Sequence, residues 1–357
     1  MQSTVRAEID LGALRHNLNV VRELCPHSRV MAMVKADGYG HGLLHTAKAL
    51  DGADGFAVAR LHEALTLREA GVGQRILLLA TLLDASDLAL CSKLQIDVTA
   101  HDPMSVEAIT SQSEKTPLRV WLKLDSGMHR VGLTPRAFVE ADQVLSACRG
   151  VLELIHMTHF SCADHVTPAV TSRQLACFWE SHRTDSRSKV SLANSAALIS
   201  RAETHADWVR PGIMLYGVNP LGSRQPLPLA AAMTLKAKII AIREIQVGEC
   251  VGYNGRWLSH RPSRIATVGA GYADGYPRHA PDGTPVFVKG FQVPLIGQVS
   301  MDSLAIDLTD TKNILVGDEV VLWGPQLSAA TIADFADTIA YELFTSVQKR
   351  VIREYIG

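Results

Sequence analysis

The sequence predicts an α/β chain in which a (β/α)8 TIM barrel is followed by a mostly β C-terminal domain. Three observations carry the prediction. Short runs of branched apolar residues alternate with amphipathic stretches over most of the chain. The runs are mostly continuous rather than alternating, as expected of parallel strands covered on both faces. Near Pro220 this rhythm stops and strands with turns take over.

The apolar runs cover residues 30–34, 56–59, 76–80, 96–99, 120–124, 154–158, 189–192 and 209–215. Between them, residues 61–70, 84–93, 135–147 and 168–183 have helical spacing. Asp84, Asp102 before Pro103, and Thr134 before Pro135 are good helix starts. Eight strand–helix units in about 220 residues match a closed barrel, with a doubly wound open sheet as the alternative the pattern leaves. A Gly- and Pro-rich segment at 221–228 then leads into predicted strands at 233–245, 264–269, 284–288, 293–298, 303–308 and 319–323, and a last helix at 331–352. We therefore expect a barrel over 1–225, its first few residues free to pack against the second domain. A β domain with a terminal helix is expected over 226–357.

Composition narrows the function. The 357 residues carry a net charge of −1, with Lys and Arg scattered, so the basic stripe of a nucleic-acid or acidic-lipid binder is missing. The longest nearly apolar run, 76–83, falls far short of the ~18 residues that span a bilayer. The first ten residues include acids and no apolar core of a signal peptide, which predicts a cytoplasmic protein. Six cysteines without CxxC or Cys/His spacing suggest reduced thiols and no metal site.

In such a barrel the chemistry collects where strands end. Lys35 follows the first run and precedes Gly38, Tyr39, Gly40, His41 and Gly42. A lone lysine there is usually a strand meeting water. The close glycines allow backbone approach to a ligand, and a desolvated amine is both nucleophile and base. Asn194-Ser195 reads as an ordinary N-cap or as a phosphate seat, and Arg210-Pro211-Gly212-Ile213 follows on the eighth run. Arg130, two residues before Gly132, is placed to grip a carboxylate with its planar fork. His159 follows the sixth run; alone, a histidine there is more often structural than catalytic.

Seven collinear motifs then resemble the bacterial alanine racemases. They are residues 7–11 (AEIDL), 34–42 (VKADGYGHG), 123–132 (KLDSGMHRVG), 193–197 (ANSAA), 210–217 (RPGIMLYG), 271–276 (GYADGY) and 297–302 (GQVSMD). The resemblance implies an isomerase that uses pyridoxal 5'-phosphate. It also implies a homodimer in which the β domain of one subunit completes the site of the other. Lys35 resembles the Schiff-base lysine, and Tyr39, Ser195, Gly212 and Ile213 resemble phosphate contacts, with Asn194 beside them. Arg210 resembles the group facing the pyridine nitrogen, His159 its neighbour, and Arg130 the carboxylate grip. Lys123 occupies a position that often carries a carbamate. Tyr253 resembles the second base, and Tyr272, Met301 and Asp302 shape the substrate end.

By the same resemblance, Lys35 takes the α proton from D-alanine and Tyr253 of the partner subunit takes it from L-alanine. The product would feed peptidoglycan or catabolism. Other readings are a racemase of another small amino acid such as serine, a barrel-fold decarboxylase, and a non-catalytic pyridoxal-phosphate binding protein. Ser191 and Ser300 depart from the His and Cys common in the family. No phosphate-contacting tyrosine is evident at 347–350, and Tyr355 lies too far along to equate with it.

Overall fold

The computed structural model describes residues 4–79, 81–112, 115–164, 169–182 and 188–357. Eight parallel strands close into a barrel: β2 (Arg29–Met33), β3 (Gly55–Val58), β4 (Arg75–Leu78), β5 (Ile96–Ala100), β6 (Leu118–Lys123), β7 (Val151–Met157), β8 (Lys189–Asn194) and β9 (Trp208–Arg210). The strand before them, β1 (Val5–Asp10), belongs elsewhere. Helices α1 (Leu11–Leu24), α2 (Leu43–Ala49), α3 (Leu61–Glu69), α4 (Ala85–Lys93), α5 (Pro103–Gln112), α6 (Pro135–Ala147), α7 (Ala169–Ser181) and α8 (Ser195–Ser200) lie between or before the strands. The continuous apolar runs become strands buried on both faces, as β3 and β5 show by being buried at every residue. Asp84 and Thr134 cap α4 and α6 as expected. At the amino-terminal end of the barrel, Arg75 pairs with Asp97 (3.1 Å) and with Glu153, closing the floor with charge.

The second half builds an antiparallel-rich sheet from β10 (Met233–Ile245), β13 (Ser263–Val268), β14 (Pro285–Val288), β15 (Phe291–Ile296), β16 (Leu304–Asp307), β17 (Glu319–Trp323) and β18 (Ile352–Ile356). A small ribbon of β11 (Cys250–Val251) and β12 (Trp257–Leu258) stands apart. β1 lies between β10, its antiparallel partner, and β18, its parallel one, so both ends of the chain share this sheet.

Several expectations need correction. The run 209–215 is not one strand: β9 stops at Arg210 before Pro211, and Ile213–Tyr216 is a 3-10 turn. The final helix expected at 331–352 is two short helices, α9 (Ala329–Phe335) and α10 (Ala340–Ser346), and then β18. Asp337, at φ 49, breaks the first helix, and pairing with β1 draws the last residues into a strand. β1 itself was not expected as a strand. Ala80, Pro168 and Arg183, at the ends of expected elements, lie outside the described residues. No helix among the described residues is long and apolar enough to cross a membrane.

Candidate active site

Lys35 leaves the barrel at the carboxyl end of β2. The next four residues turn the wrong way: Ala36, Asp37, Gly38 and Tyr39 have φ values of 54, 55, 61 and 52°. A left-handed turn costs an L-residue about 1–2 kcal/mol, so its three non-glycine members store about 3–6 kcal/mol. The turn must be held from outside, and three contacts do so. The Ala36 amide donates to Glu63 Oε1 (2.7 Å), the Leu43 amide to Asp37 Oδ1 (2.8 Å), and Arg353 Nε to the Gly40 carbonyl (2.8 Å). A Cβ on Gly40 would stand 2.0 Å from the Phe344 carbonyl oxygen, so α10 closes directly onto the turn. His41 is buried, its Nδ1 2.8 Å from the Tyr39 carbonyl and its ring against Tyr216 and Phe344. Burial pushes its pKa down to about 4, with Arg353 adding to the fall.

Residues from three separate motifs meet beside this turn. Tyr39 stacks on Tyr216 with centroids 4.7 Å apart, and a Cβ at Gly212 would lie 2.6 Å from the Tyr39 hydroxyl. The Gly212 amide donates to Ser195 Oγ (2.8 Å), and Ile213 is fully buried behind it. Asn194 is the N-cap of α8, its Oδ1 accepting from the Ala197 amide (3.0 Å). The cap reading therefore holds for Asn194, while the Ser195 hydroxyl turns to Gly212.

Basic groups surround Lys35. Arg210 is buried and donates to the carbonyls of Ser191 (2.8 Å), Leu192 (3.2 Å) and Thr158 and to Ser191 Oγ (2.6 Å). Ser191, the departure from histidine, is thus an acceptor for this guanidinium. Burial lowers the Arg210 pKa to about 10. Arg130 is exposed at the tip of a short loop after β6. The Asp125 carboxylate ties that loop by accepting the amides of Gly127, Met128 and His129, each at 3.0 Å. Burial, then Arg130, lowers the pKa of Lys35, and Glu63 opposes them. Lys123 is lowered to about 8 by burial and by Arg210, Arg130 and Lys35. His159 is held well below the usual histidine range by burial and by the same four cations. Such a cluster is short of negative charge.

Of the predicted residues of the β domain, Tyr272, Met301 and Asp302 lie on two loops that are bonded together, and Tyr253 stands on a neighbouring turn. Tyr253, Tyr272 and Met301 are 67, 38 and 53% exposed. The Tyr272 and Ala273 amides donate to the Ser300 and Met301 carbonyls (3.0 Å each), which joins their two loops. Arg350 bonds Asp274 (2.7 Å) and Asp302 (2.5 Å), clamping the same pair. Val251, buried among Ile245, Ile265 and Ile296, anchors the turn that presents Tyr253. The two charges that set Lys35, Arg130 and Glu63, both come from the barrel.

Three side chains escaped the sequence reading: Glu63, Arg350 and Tyr341. Tyr341, on α10, sits with its ring 5.9 Å from that of Tyr39, and burial pushes its pKa up to about 12. A tyrosine in the final helical segment, upstream of residues 347–350, was the available signal.

Residues 9–220 match the family model for the alanine racemase N-terminal domain, and residues 232–355 that for the C-terminal domain. The chain is 48% identical to an alanine racemase of Chromohalobacter salexigens over 99% of its own length and 98% of the relative's. It is 47% identical to a catabolic alanine racemase of Pseudomonas putida, with 99% of each covered. Among solved structures, the biosynthetic alanine racemase of Pseudomonas aeruginosa superposes with a TM-score of 0.96 at 45% identity, covering 100% of both chains. That of Bartonella henselae, with covalently bound pyridoxal phosphate, gives 0.91 at 30% identity, covering 99% of this chain and 100% of its own.

Proposed function

The chain belongs to the alanine racemase family and is an isomerase that interconverts L- and D-alanine. From that premise we propose that Lys35 and Tyr253 of the partner subunit are its two bases, working in a homodimer with pyridoxal 5'-phosphate as cofactor. The observation that carries this reading is the cluster of Lys35, Lys123, Arg130, His159 and Arg210 around one barrel mouth. A phosphorylated aldehyde fits it: Lys35 supplies an amine whose pKa burial lowers, and Tyr39, Ser195, Gly212 and Ile213 offer hydroxyls and backbone for a phosphate. When bound, pyridoxal phosphate supplies the electron sink that makes the α proton of alanine acidic enough to remove.

The residues divide the remaining work. Arg130 receives the substrate carboxylate on its planar fork. Arg210, fixed by four acceptors, presents a donor to the cofactor ring and does not give its proton away. His159, held well below the usual histidine range by burial and then by its cationic neighbours, lies beside it without adding charge. Lys35 Nζ takes the α proton of D-alanine on one face, and Tyr253 Oη of the partner subunit takes that of L-alanine on the other. Inversion needs both. Tyr272, Met301 and Asp302 of the partner subunit close the substrate end. Lys123, with its pKa depressed to about 8, keeps part of its amine neutral, the form that adds carbon dioxide. A carbamate there would set an anion among Arg130, Arg210 and Lys35.

Purified protein is expected to show a visible cofactor band that borohydride bleaches, with the label on Lys35. Tyr253→Phe is expected to keep the band and lose about 100-fold or more of racemisation in both directions. No band, label on another lysine, or carbon dioxide release in place of inversion would contradict the reading.

A further inference from the structure

We propose that Glu63 is a positioning residue for Lys35: its carboxylate holds the left-handed turn on which the lysine is mounted and keeps a negative charge behind the amine. The proposal rests on the assignment of Lys35 as a base. Glu63 is the third residue of α3 and is 7% exposed. Its Oε2 accepts the amides of Ala59 and Arg60, both at 3.0 Å, which is ordinary capping of a helix start. Capping leaves Oε1 unexplained. That oxygen reaches a different loop and accepts, at 2.7 Å, the amide of Ala36, the first residue after Lys35.

Ala36 opens the strained left-handed stretch, so this bond acts where the backbone has most reason to relax. If the turn relaxed toward ordinary φ values, the peptide plane between Lys35 and Ala36 would be free to reorient and the lysine would lose its fixed mounting. The carboxylate also acts through space. The cations facing this pocket are Arg130 and Lys123 from β6 and its loop, and Arg210 from β9; His159 faces it after β7. Asp37 and Tyr39 belong to the turn itself, and Asp125 opposes the cations at Lys123. Glu63 is the group that favours the protonated form of Lys35, and it therefore helps the amine receive the α proton of D-alanine.

The test uses Glu63→Gln, which removes the charge, and Glu63→Asp, which keeps the charge on a stem too short to serve both loops. Borohydride labelling of the wild-type holoenzyme comes first; a label away from Lys35 defeats the assignment of the base, separately from the role of Glu63. In cofactor-free protein, the pH dependence of Lys35 modification by trinitrobenzenesulfonate is followed by mass spectrometry. Loss of the negative charge weakens proton binding at Lys35, so Glu63→Gln is expected to lower the midpoint by about half a pH unit or more, with Glu63→Asp near wild type.

In the holoenzyme, both variants are expected to lose about tenfold in turnover. They should also raise the primary isotope effect with D-[2-²H]alanine while lowering that with L-[2-²H]alanine. Only the step at Lys35 is slowed, so the two enantiomers must respond in opposite directions; a general loosening of the fold would not separate them. An unmoved midpoint in Glu63→Gln, or isotope effects equal to wild type in Glu63→Asp, would reduce Glu63 to a helix cap. If Glu63→Gln does not fold, Glu63→Asp alone decides through its isotope effects.

Discussion

Lys123 is a side chain that works against the stability of its own fold. Burial and then three cations lower its pKa to about 8 from the ordinary lysine value of 10.5. Between those two pH values the unfolded chain binds more protons than the folded one, so this group's contribution to stability rises with pH in that window. Below about 8 the cost of holding the charge is fully present. We expect Lys123→Met to raise the melting temperature at pH 7, to remove the gain in stability between pH 8 and 10, and to lower turnover; melting curves at the two ends of the window check the sign. An unchanged or lower melting temperature at pH 7 would mean that Asp125, which opposes the cations, outweighs burial, and would contradict this account. Lys35 and Arg130 were legible in the sequence because each follows a strand and stands close to glycines, whereas Lys123, the last residue of β6, was singled out by the family resemblance. Glu63 was not. It is spelled like any glutamate near a helix start, and its meaning depends on Ala36, which the chain brings beside it only after folding. Tyr341 was hidden for a related reason, since one uninterrupted helix was expected to run through it.

At the scale of elements, the left-handed turn after β2 is the part most dependent on its surroundings. Gly40 shows how closely they press: its φ is 77° and an added Cβ would meet the Phe344 carbonyl oxygen at 2.0 Å. Gly40→Ala is expected to destabilise the protein by about 3 kcal/mol, combining left-handed strain with overpacking. It should also weaken pyridoxal-phosphate retention, because Tyr39 rides on the same turn. Denaturant unfolding and cofactor release on dialysis measure the two effects. The barrel strands were legible because continuous apolar runs need cover on both faces, and residues such as Phe56 and Val98 are fully buried. The chain after Phe335 was not legible from local spacing. Ile352–Ile356 becomes a strand only because β1, more than 300 residues earlier, offers an edge. The same pairing explains why β1 was overlooked: its alternating burial makes sense only between β10 and β18.

On the scale of the whole molecule, barrel and β domain are joined by one continuous core and by strands from both chain ends. Arg353 and Tyr355 of β18 reach the turn that carries Lys35: Arg353 bonds the Gly40 carbonyl, and a Cβ on Gly42 would lie 2.1 Å from the Tyr355 hydroxyl. The turn that carries Lys35 is therefore firmly held by the chain's own β domain. Tyr253, Tyr272 and Met301, proposed to complete a site, face outward. Under the proposed function, a symmetric pair of subunits would bring these residues to the partner's Lys35.

The central claim is that one working site takes Lys35 from one subunit and Tyr253 of the partner subunit, and mixing two dead variants tests it most directly. Lys35→Ala and Tyr253→Phe are each expected to be inactive as homodimers. Random hybrids of the two form one intact and one doubly defective site per mixed dimer, so activity should return to about a quarter of the wild-type level. Mixed dimers that form and remain inactive would contradict the account.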